Sequence, residues 1–185
     1  MANFTEKALA QTLFELLETQ PIDKITVKEI TDRCGLNRNT FYYHYHDVYE
    51  LLDAALTATE DEMFSDLSND ASLQECLRAA LGDALKNRNI VYNIYRSVRQ
   101  ELLEAYFYRT AERYIRPYVE HQAEGLAVAQ EYIDDITHLL SACVEGLILD
   151  WLRDGMVDDP FAFCERVSIL LEGGVRTMLK RAAGK

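Results

Sequence analysis

Five residues near position 40 have the spacing of a helix with two different faces. At about 100° per residue, Asn39, Thr40 and Tyr43 point to one side, while Phe41 and Tyr45 point to the other. Amide and hydroxyl groups can bond to base edges and phosphates in the major groove of DNA. Three further polar or aromatic residues flank the outward face: Arg38, Tyr42 and His44. The pattern indicates a helix that packs through Phe41 and Tyr45 and offers its other face to DNA.

A second predicted helix precedes this one and is joined to it by a tight turn. Thr26 and Glu29 form the capping-box pattern S/T-x-x-E, so we expect a helix to begin after Thr26. Gly35 can adopt the left-handed conformation that ends a helix, and Asn37 is well suited to cap the next one. One apolar face of the first helix would hold Val27, Ile30 and Cys34. Two short helices joined in this way form a helix-turn-helix.

The remaining pattern predicts an all-α chain with two parts. A first helix over residues 3–19 would pack across the helix-turn-helix and complete a three-helix DNA-binding head, residues 1–47. A helix from 47 to 64 would join this head to a helical body, residues 48–185. Only three prolines and eight glycines, without strand-like alternation, favour helices throughout.

The motifs as a set resemble the tetracycline-repressor (TetR) family of bacterial regulators. The run GLNRNTFYYHYHDVYELL, residues 35–52, is similar to the recognition helix and following helix of that family. The preceding run LLETQPIDKITVKEI, residues 16–30, fits the same family. The motif resemblance covers roughly the first 52 residues, and beyond them it is one of architecture.

The resemblance implies roles for individual residues. Arg38, Asn39, Thr40 and Tyr43 would read bases or line the groove, and Thr26 would meet a phosphate at a helix start. Tyr42 and His44 resemble phosphate contacts. The complete predicted DNA-binding set is Thr26, Lys28, Asn37, Arg38, Asn39, Thr40, Tyr42, Tyr43 and His44. The alternatives are that Thr26 is only a helix cap and that Tyr42 packs inside the protein.

One position departs from the family pattern. Val48 stands where the family commonly has a lysine that touches a phosphate. Backbone N–H groups at this helix start, after Asp47, are expected to replace part of that contact. A metal site formed by His44 and His46 is not expected, because side chains two positions apart on a helix diverge.

Five further helices are expected in the body. Their predicted ranges are 72–87, 90–95, 98–124, 130–154 and 160–181. Ser72 and Glu75 form a second capping box at the start of the first of them, and Pro117 is expected to kink the third.

The last two predicted helices each have two apolar stripes. One stripe can face the core, and the other needs a partner, so we expect a four-helix interface with a second copy of the chain. The predicted interface residues are Leu139, Gly146, Leu149, Leu171, Gly174 and Met178. The alternative is that both stripes lie in the core of a single chain.

The resemblance also implies a small-molecule effector that binds the C-terminal helices and releases DNA. The candidate ligand-binding residues are Tyr92, Tyr95, Tyr106, Arg109, His138 and Trp151. An ordinary structural role is the alternative for each of them. Asp134 and His138, four residues apart, have metal-ligand spacing, but a solvated ion pair is the expected arrangement. Neither a metal nor a cofactor is expected.

The charge of the chain opposes non-specific attraction to DNA. The formal net charge is −12, and residues 1–52 hold five Lys or Arg against eight Asp or Glu. Four basic residues nevertheless surround the helix-turn-helix: Lys24, Lys28, Arg33 and Arg38. We therefore expect salt-dependent binding with a modest slope.

The cysteines and the hydropathy suggest a reduced, cytoplasmic protein. The four cysteines are far apart and lie on predicted apolar faces, so buried thiols are expected: Cys34, Cys76, Cys143 and Cys164. No 18-residue apolar stretch and no signal-peptide pattern occurs.

These observations predict a homodimeric transcriptional repressor that binds a near-palindromic DNA operator. The alternative is a co-regulator that acts through a protein partner and has weak DNA affinity of its own. An enzyme is not expected, because the sequence lacks a Gly-rich phosphate loop, a nucleophile elbow, an H-E-x-x-H motif and a paired-cysteine metal site.

Overall fold

The computed structural model describes residues 2–65, 73–97, 100–157, 159–171 and 173–184. Over these residues the chain forms α-helices and one 3-10 turn, Ile22–Lys24, without a β-strand, so the all-α prediction is confirmed. The N-terminal helices are α1 (Ala2–Leu17), α2 (Val27–Cys34), α3 (Arg38–His44) and α4 (Val48–Ser65). The later helices are α5 (Leu73–Lys86), α6 (Arg88–Tyr95), α7 (Gln100–Ala123), α8 (Gln130–Arg153), α9 (Pro160–Leu171) and α10 (Gly174–Ala183).

The chain divides into two compact units. The first unit contains Met1–Phe64 and Lys86–Tyr106, and the second contains Ser65–Leu85 and Phe107–Lys185. The predicted DNA-binding head, residues 1–47, therefore lies within the first unit.

The core of the first unit is built on α1. Its apolar face is fully buried and consists of Leu9, Leu13, Leu16 and Leu17. Ile30 of α2 and Phe41 of α3 have no exposed surface, and Leu51 of α4 joins them. The side-chain amide of Asn93 in α6 donates to the carbonyl of Leu17 over 2.7 Å. Burial of these side chains stabilises the unit, and α2, α3 and α6 in particular are too short to persist alone.

The second unit has its own core, formed by α7, α8 and α10. One face of α7 contributes residues at a spacing of four: Ala111, Ile115, Val119 and Ala123. Ile136, Leu140 and Val144 of α8, with Val175 and Leu179 of α10, complete the cluster. Pro117 lies inside α7, and the helix continues past it to Ala123.

The prediction of one final helix over 160–181 is wrong. Gly173 adopts the left-handed conformation, with φ 69° and ψ −9°, and the chain forms two helices, α9 and α10. Two adjacent glycines lack the Cβ atoms that disfavour such a break. The predicted start of α5 at Ser72 lies outside the described residues.

The prediction that all four thiols are buried is wrong for Cys143, which is exposed on α8. Cys164 is buried, and Cys34 is half-buried with its Sγ 3.0 Å from the hydroxyl oxygen of Thr12. The side chain of Cys76 lies outside the described residues.

Candidate nucleic-acid interface

The turn between α2 and α3 has the predicted caps. The hydroxyl oxygen of Thr26 accepts from the backbone N–H of Glu29 over 3.2 Å. Gly35 lies at φ 66° and ψ 26°, and the N–H of Leu36 donates to the carbonyl of Thr31 over 2.9 Å. This bond, between residues five positions apart, is the Schellman arrangement that satisfies a helix C-terminus. The backbone conformation therefore fixes the turn. The Thr26 hydroxyl accepts from Glu29 and still has its own hydrogen to donate.

Asn37 fixes the start of α3. Its Oδ1 accepts from the backbone N–H of Thr40 over 2.8 Å and from the hydroxyl of Thr40 over 3.2 Å. Asn37 and Arg38 are both exposed, whereas Thr40 is half-buried. The cap thus orients the Thr40 hydroxyl, and the two amide hydrogens of Asn37 stay available as donors.

Phe41 anchors α3, and the tyrosines beside it point outward. Phe41 is completely buried, which confirms its predicted core role, and Tyr45 is half-buried. Tyr43 is 85% exposed and Tyr42 is 56% exposed. Two adjacent exposed aromatic rings form a continuous apolar surface, and such surfaces often mark contacts with another molecule. Asn39 is exposed beside them.

His44 does not share the exposure of its neighbours. Its side chain is only 10% exposed, and its Nδ1 lies 3.2 Å from Oε1 of Glu6 in α1. The ring also meets the Tyr43 ring edge-on at 5.1 Å. Burial raises the pKa of Tyr45 above its ordinary value, and the negative charges of Glu6 and Glu50 raise it further. Glu6 was not among the predicted residues, because the contact spans 38 positions and depends on where α1 packs.

Two backbone amides at the start of α4, where a phosphate contact is expected, already have a partner. Oδ1 of Asp47 accepts from the N–H of Tyr49 over 2.8 Å and from the N–H of Glu50 over 2.9 Å. Val48 is buried, with 8% exposure. A phosphate at this helix start would have to compete with the Asp47 carboxylate for these two amides.

The basic residues around α3 are only partly neutralised. Lys28 pairs with Asp32 over 3.0 Å, but both side chains are more than half exposed, so water screens the pair. Lys24, Arg33 and Arg38 are exposed, and Arg38 makes no ion pair with any residue that the structure describes. These charges are available to phosphates despite the acidic total.

The predicted ligand-binding residues are divided between the units. Tyr92, Tyr95 and Tyr106 belong to the first unit, and the others belong to the second: Arg109, His138 and Trp151. The Tyr92 ring contacts the guanidinium groups of Arg88 and Arg96, at 5.7 and 5.0 Å.

The expected ion pair between Asp134 and His138 is wrong. Arg116 donates to Asp134 over 2.7 Å and holds the pKa of that carboxyl below its ordinary value, while the Tyr108 hydroxyl lies 2.6 Å from Nδ1 of His138. Within the described ranges no group of three metal-ligating side chains occurs.

The predicted interface residues of α8 lie largely on its surface. Leu139 is 53% exposed, Gly146 is exposed and Leu149 is half-buried. Ala142 and Cys143 are exposed between them, so α8 has an apolar surface strip formed by Leu139, Ala142, Cys143 and Gly146. Gly174 and Met178 of α10 are half-buried, and the side chain of Leu171 lies outside the described residues.

The second unit also contains a cavity of about 420 Å³ between α5, α8 and α9. Its apolar wall includes Leu81, Val144, Ile148, Trp151, Phe163 and Val167. Of the six predicted ligand-binding residues, Trp151 alone lines it.

A capped helix-turn-helix on an all-helical scaffold defines the class of helix-turn-helix transcriptional regulators. Comparison with known families makes this assignment specific. The family model for bacterial regulatory proteins of the tetR family matches residues 11–55, and one for a transcriptional regulator C-terminal region matches residues 71–173. The chain belongs to the tetR family and is a transcriptional regulator.

A curated relative and two solved structures are similar to this chain. YxbF of Bacillus subtilis, an uncharacterized HTH-type transcriptional regulator, is 29% identical over 164 residues, which cover 84% of this chain and 41% of YxbF. The structure of DhaS, a dihydroxyacetone kinase operon activator, has a TM-score of 0.73 at 18% identity and covers 94% of this chain and 97% of its own. The fatty acid degradation regulator FadR of Bacillus halodurans has a TM-score of 0.63 at 14% identity, with coverage of 92% and 96%. Both solved structures have the same fold as this chain.

None of the helices, over the residues described, is both long and apolar enough to cross a membrane.

Proposed function

We propose that this regulator binds a near-palindromic DNA operator as a homodimer, with α3 of each copy in the major groove. The observation that carries the proposal is the surface formed by Arg38, Asn39 and Tyr43, exposed opposite the buried Phe41. A helix fixed by a cap at Asn37 presents these side chains with little loss of backbone freedom on binding. The proposed activity belongs in the cytoplasm, where the operator is.

The side chains have different roles in this proposal. Arg38, Asn39, Thr40 and Tyr43 contact base edges or line the groove, because they lie on the outward face of α3. The others hold the DNA backbone: Thr26, Lys28, Asn37 and Tyr42. The His44 side chain is nearly buried against Glu6, so its role in this proposal is to position α3.

The homodimer forms through the apolar strip of α8 in this proposal. Leu139 and Gly146 lie on that strip, and beyond its own helix nothing lies within 4 Å of a Cβ added at Gly146, so the space above this glycine is open to a second helix. A two-fold axis at the strip gives two copies of α3 that contact two half-sites. Neither head then needs high affinity by itself.

Occupation of an operator that overlaps a promoter represses transcription, and binding of a small molecule in the second unit releases the DNA. The sign of regulation depends on the operator position, and DhaS, which has the same fold, is described as an operon activator. A reporter placed behind the selected operator distinguishes repression from activation.

A second candidate function is a partner-dependent co-regulator with weak DNA affinity. Two observations favour it: the net charge of −12, and the Asp47 carboxylate that occupies the amides where phosphate contact was expected. The purified protein would then bind an operator only after a partner protein is added.

The test is selection of bound duplexes from a random DNA library by the purified full chain at moderate salt. Enrichment of an inverted repeat supports the proposal, and a folded dimer that enriches nothing supports the co-regulator. The double variant Asn39→Ala, Tyr43→Ala should lose preference for the enriched repeat while its helical content and molar mass stay unchanged. Asn89→Ala, an exposed asparagine of α6, is the matched control and should bind as the wild type does.

A further inference from the structure

We infer that the cavity between α5, α8 and α9 binds a lipophilic organic cation, with its apolar body against Trp151 and Phe163 and its charge beside Asp154. As an effector site, this inference rests on the proposed function and names the chemical class of the effector. The binding step itself needs no DNA and is tested separately.

The spacing of residues on two facing helices forms the cavity. Val144, Ile148 and Trp151 follow one face of α8, while Phe163 and Val167 follow one face of α9. A volume of about 420 Å³ lies in the range of small-molecule sites, which runs from about 300 to 1,000 Å³. The cavity is thus large enough for a molecule with several rings or a branched alkyl body.

The interior of the cavity offers apolar contact without a buried charge. Trp151 and Phe163 supply aromatic rings, which pack on apolar ligands and attract cations through their faces. Cys164, also in the wall, is 2% exposed, and burial raises the pKa of its thiol, so it is neutral near pH 7. An uncharged wall favours a ligand whose body is apolar.

Charged side chains lie at the mouth of the cavity, where they remain hydrated. Asp150 and Asp154 are one helical turn apart, and Arg153 pairs with Asp150. Asp154 makes no ion pair with a residue that the structure describes. Arg166 is the basic residue that lines the cavity, and its guanidinium lies 5.9 Å from the centre of the Phe163 ring. Asp154 is therefore the charge that a bound cation can neutralise.

The electrostatic field of the second unit also favours a cationic ligand. Its sequence contains 17 Asp or Glu and 10 Lys or Arg, a net charge of −7. A negative field concentrates cations near the surface and disfavours anions of equal size. Val157, 80% exposed, and Leu147, 38% exposed, add apolar surface at the mouth, along which a lipophilic molecule can enter.

Trp151 makes occupancy directly measurable, because it is the single tryptophan of the chain. The probes are tetraphenylphosphonium and tetraphenylborate, which have nearly the same shape and opposite charge. Titration of the full-length protein with the phosphonium should change tryptophan fluorescence with a saturable curve. The borate should produce no saturable change at the same concentrations.

Three variants test the charge assignment. Asp154→Asn should weaken phosphonium binding about fivefold, as expected for loss of one partly screened charge contact. Arg166→Gln should strengthen it. Asp135→Asn removes the same charge from an exposed position of α8 outside the cavity and should leave binding unchanged.

Other outcomes overturn the inference. Equal or tighter binding of the borate would show that charge selection is absent or reversed. A fluorescence signal that responds to neither probe in the dimer would show that the cavity is covered, for example by the second copy. The Asn39→Ala, Tyr43→Ala variant should still bind the phosphonium, so a failure of DNA binding and a failure of this site are distinguishable.

Discussion

The carboxylate of Glu6 lies 3.2 Å from Nδ1 of His44, and this contact joins the first turns of α1 to the last residue of α3. The residues are 38 positions apart, and the His44 side chain is nearly buried while Glu6 is half exposed. A helix of seven residues has few internal hydrogen bonds to hold its orientation. The contact therefore positions α3 at its C-terminal end, as Asn37 does at the other.

The first prediction separates this positioning role from the charge of Glu6. Glu6→Gln keeps a hydrogen-bond acceptor and removes a negative charge near DNA, so operator affinity should equal or exceed that of the wild type. Glu6→Ala removes the acceptor and the charge. It should bind the operator about fivefold to tenfold more weakly than Glu6→Gln, which corresponds to the loss of one hydrogen bond. Fluorescence anisotropy with a labelled operator measures the difference. Equal affinity of the two variants would show that the contact does not position α3.

The second prediction concerns the left-handed backbone at Gly35. Gly35→Ala should lower the free energy of unfolding by about 1 to 2 kcal/mol, because φ is 66° and no atom beyond the two neighbouring residues lies within 4 Å of an added Cβ. The loss of stability thus comes from the backbone conformation alone. Thermal or urea unfolding followed by circular dichroism measures it. Gly35→Asn is the matched control, since asparagine tolerates this conformation better than alanine does, and a loss as large as that of alanine would contradict the explanation.

Local signals in the sequence were sufficient to predict the helix-turn-helix. Thr26, Gly35 and Asn37 act within a few residues of their own positions, and all three form the expected caps. The burial of Phe41 follows from helical periodicity in the same way.

Contacts between distant segments could not be predicted in this way. The Glu6–His44 pair and the Arg116–Asp134 pair depend on how helices pack, which periodicity does not determine. Periodicity does not predict the break at Gly173 either, because the apolar stripe continues across the two adjacent glycines. The sequence predicts a buried Cys143, because two apolar stripes on α8 do not indicate which one faces solvent, and the structure shows this thiol exposed.

The third prediction follows from the lowered pKa of Asp134. A hydrogen bond from Arg116 is the largest cause of the shift below the ordinary value of 3.8, with a second bond from Gln130. Because the pKa is lowered on folding, the contribution to stability is present above pH 3.8 and is lost as the pH falls through the folded pKa. Arg116→Gln should move the carboxyl titration of Asp134 upward in NMR. An unchanged midpoint would show that Arg116 does not hold the carboxylate in solution.

The fourth prediction tests the apolar strip of α8 as the dimer interface. Leu139→Glu should produce monomers, because a glutamate facing its two-fold copy would bury two like charges in an apolar contact. Light scattering coupled to size-exclusion chromatography measures the mass, and circular dichroism should show unchanged helical content because Leu139 is 53% exposed within one chain. Ala127→Glu adds the same charge at an exposed position before α8 and should remain dimeric. A Leu139→Glu protein that is still a dimer would place the interface on another face. The Leu139→Glu protein should also lose affinity for a two-half-site operator far more than for a single half-site, because separate monomers do not hold two copies of α3 at a fixed spacing.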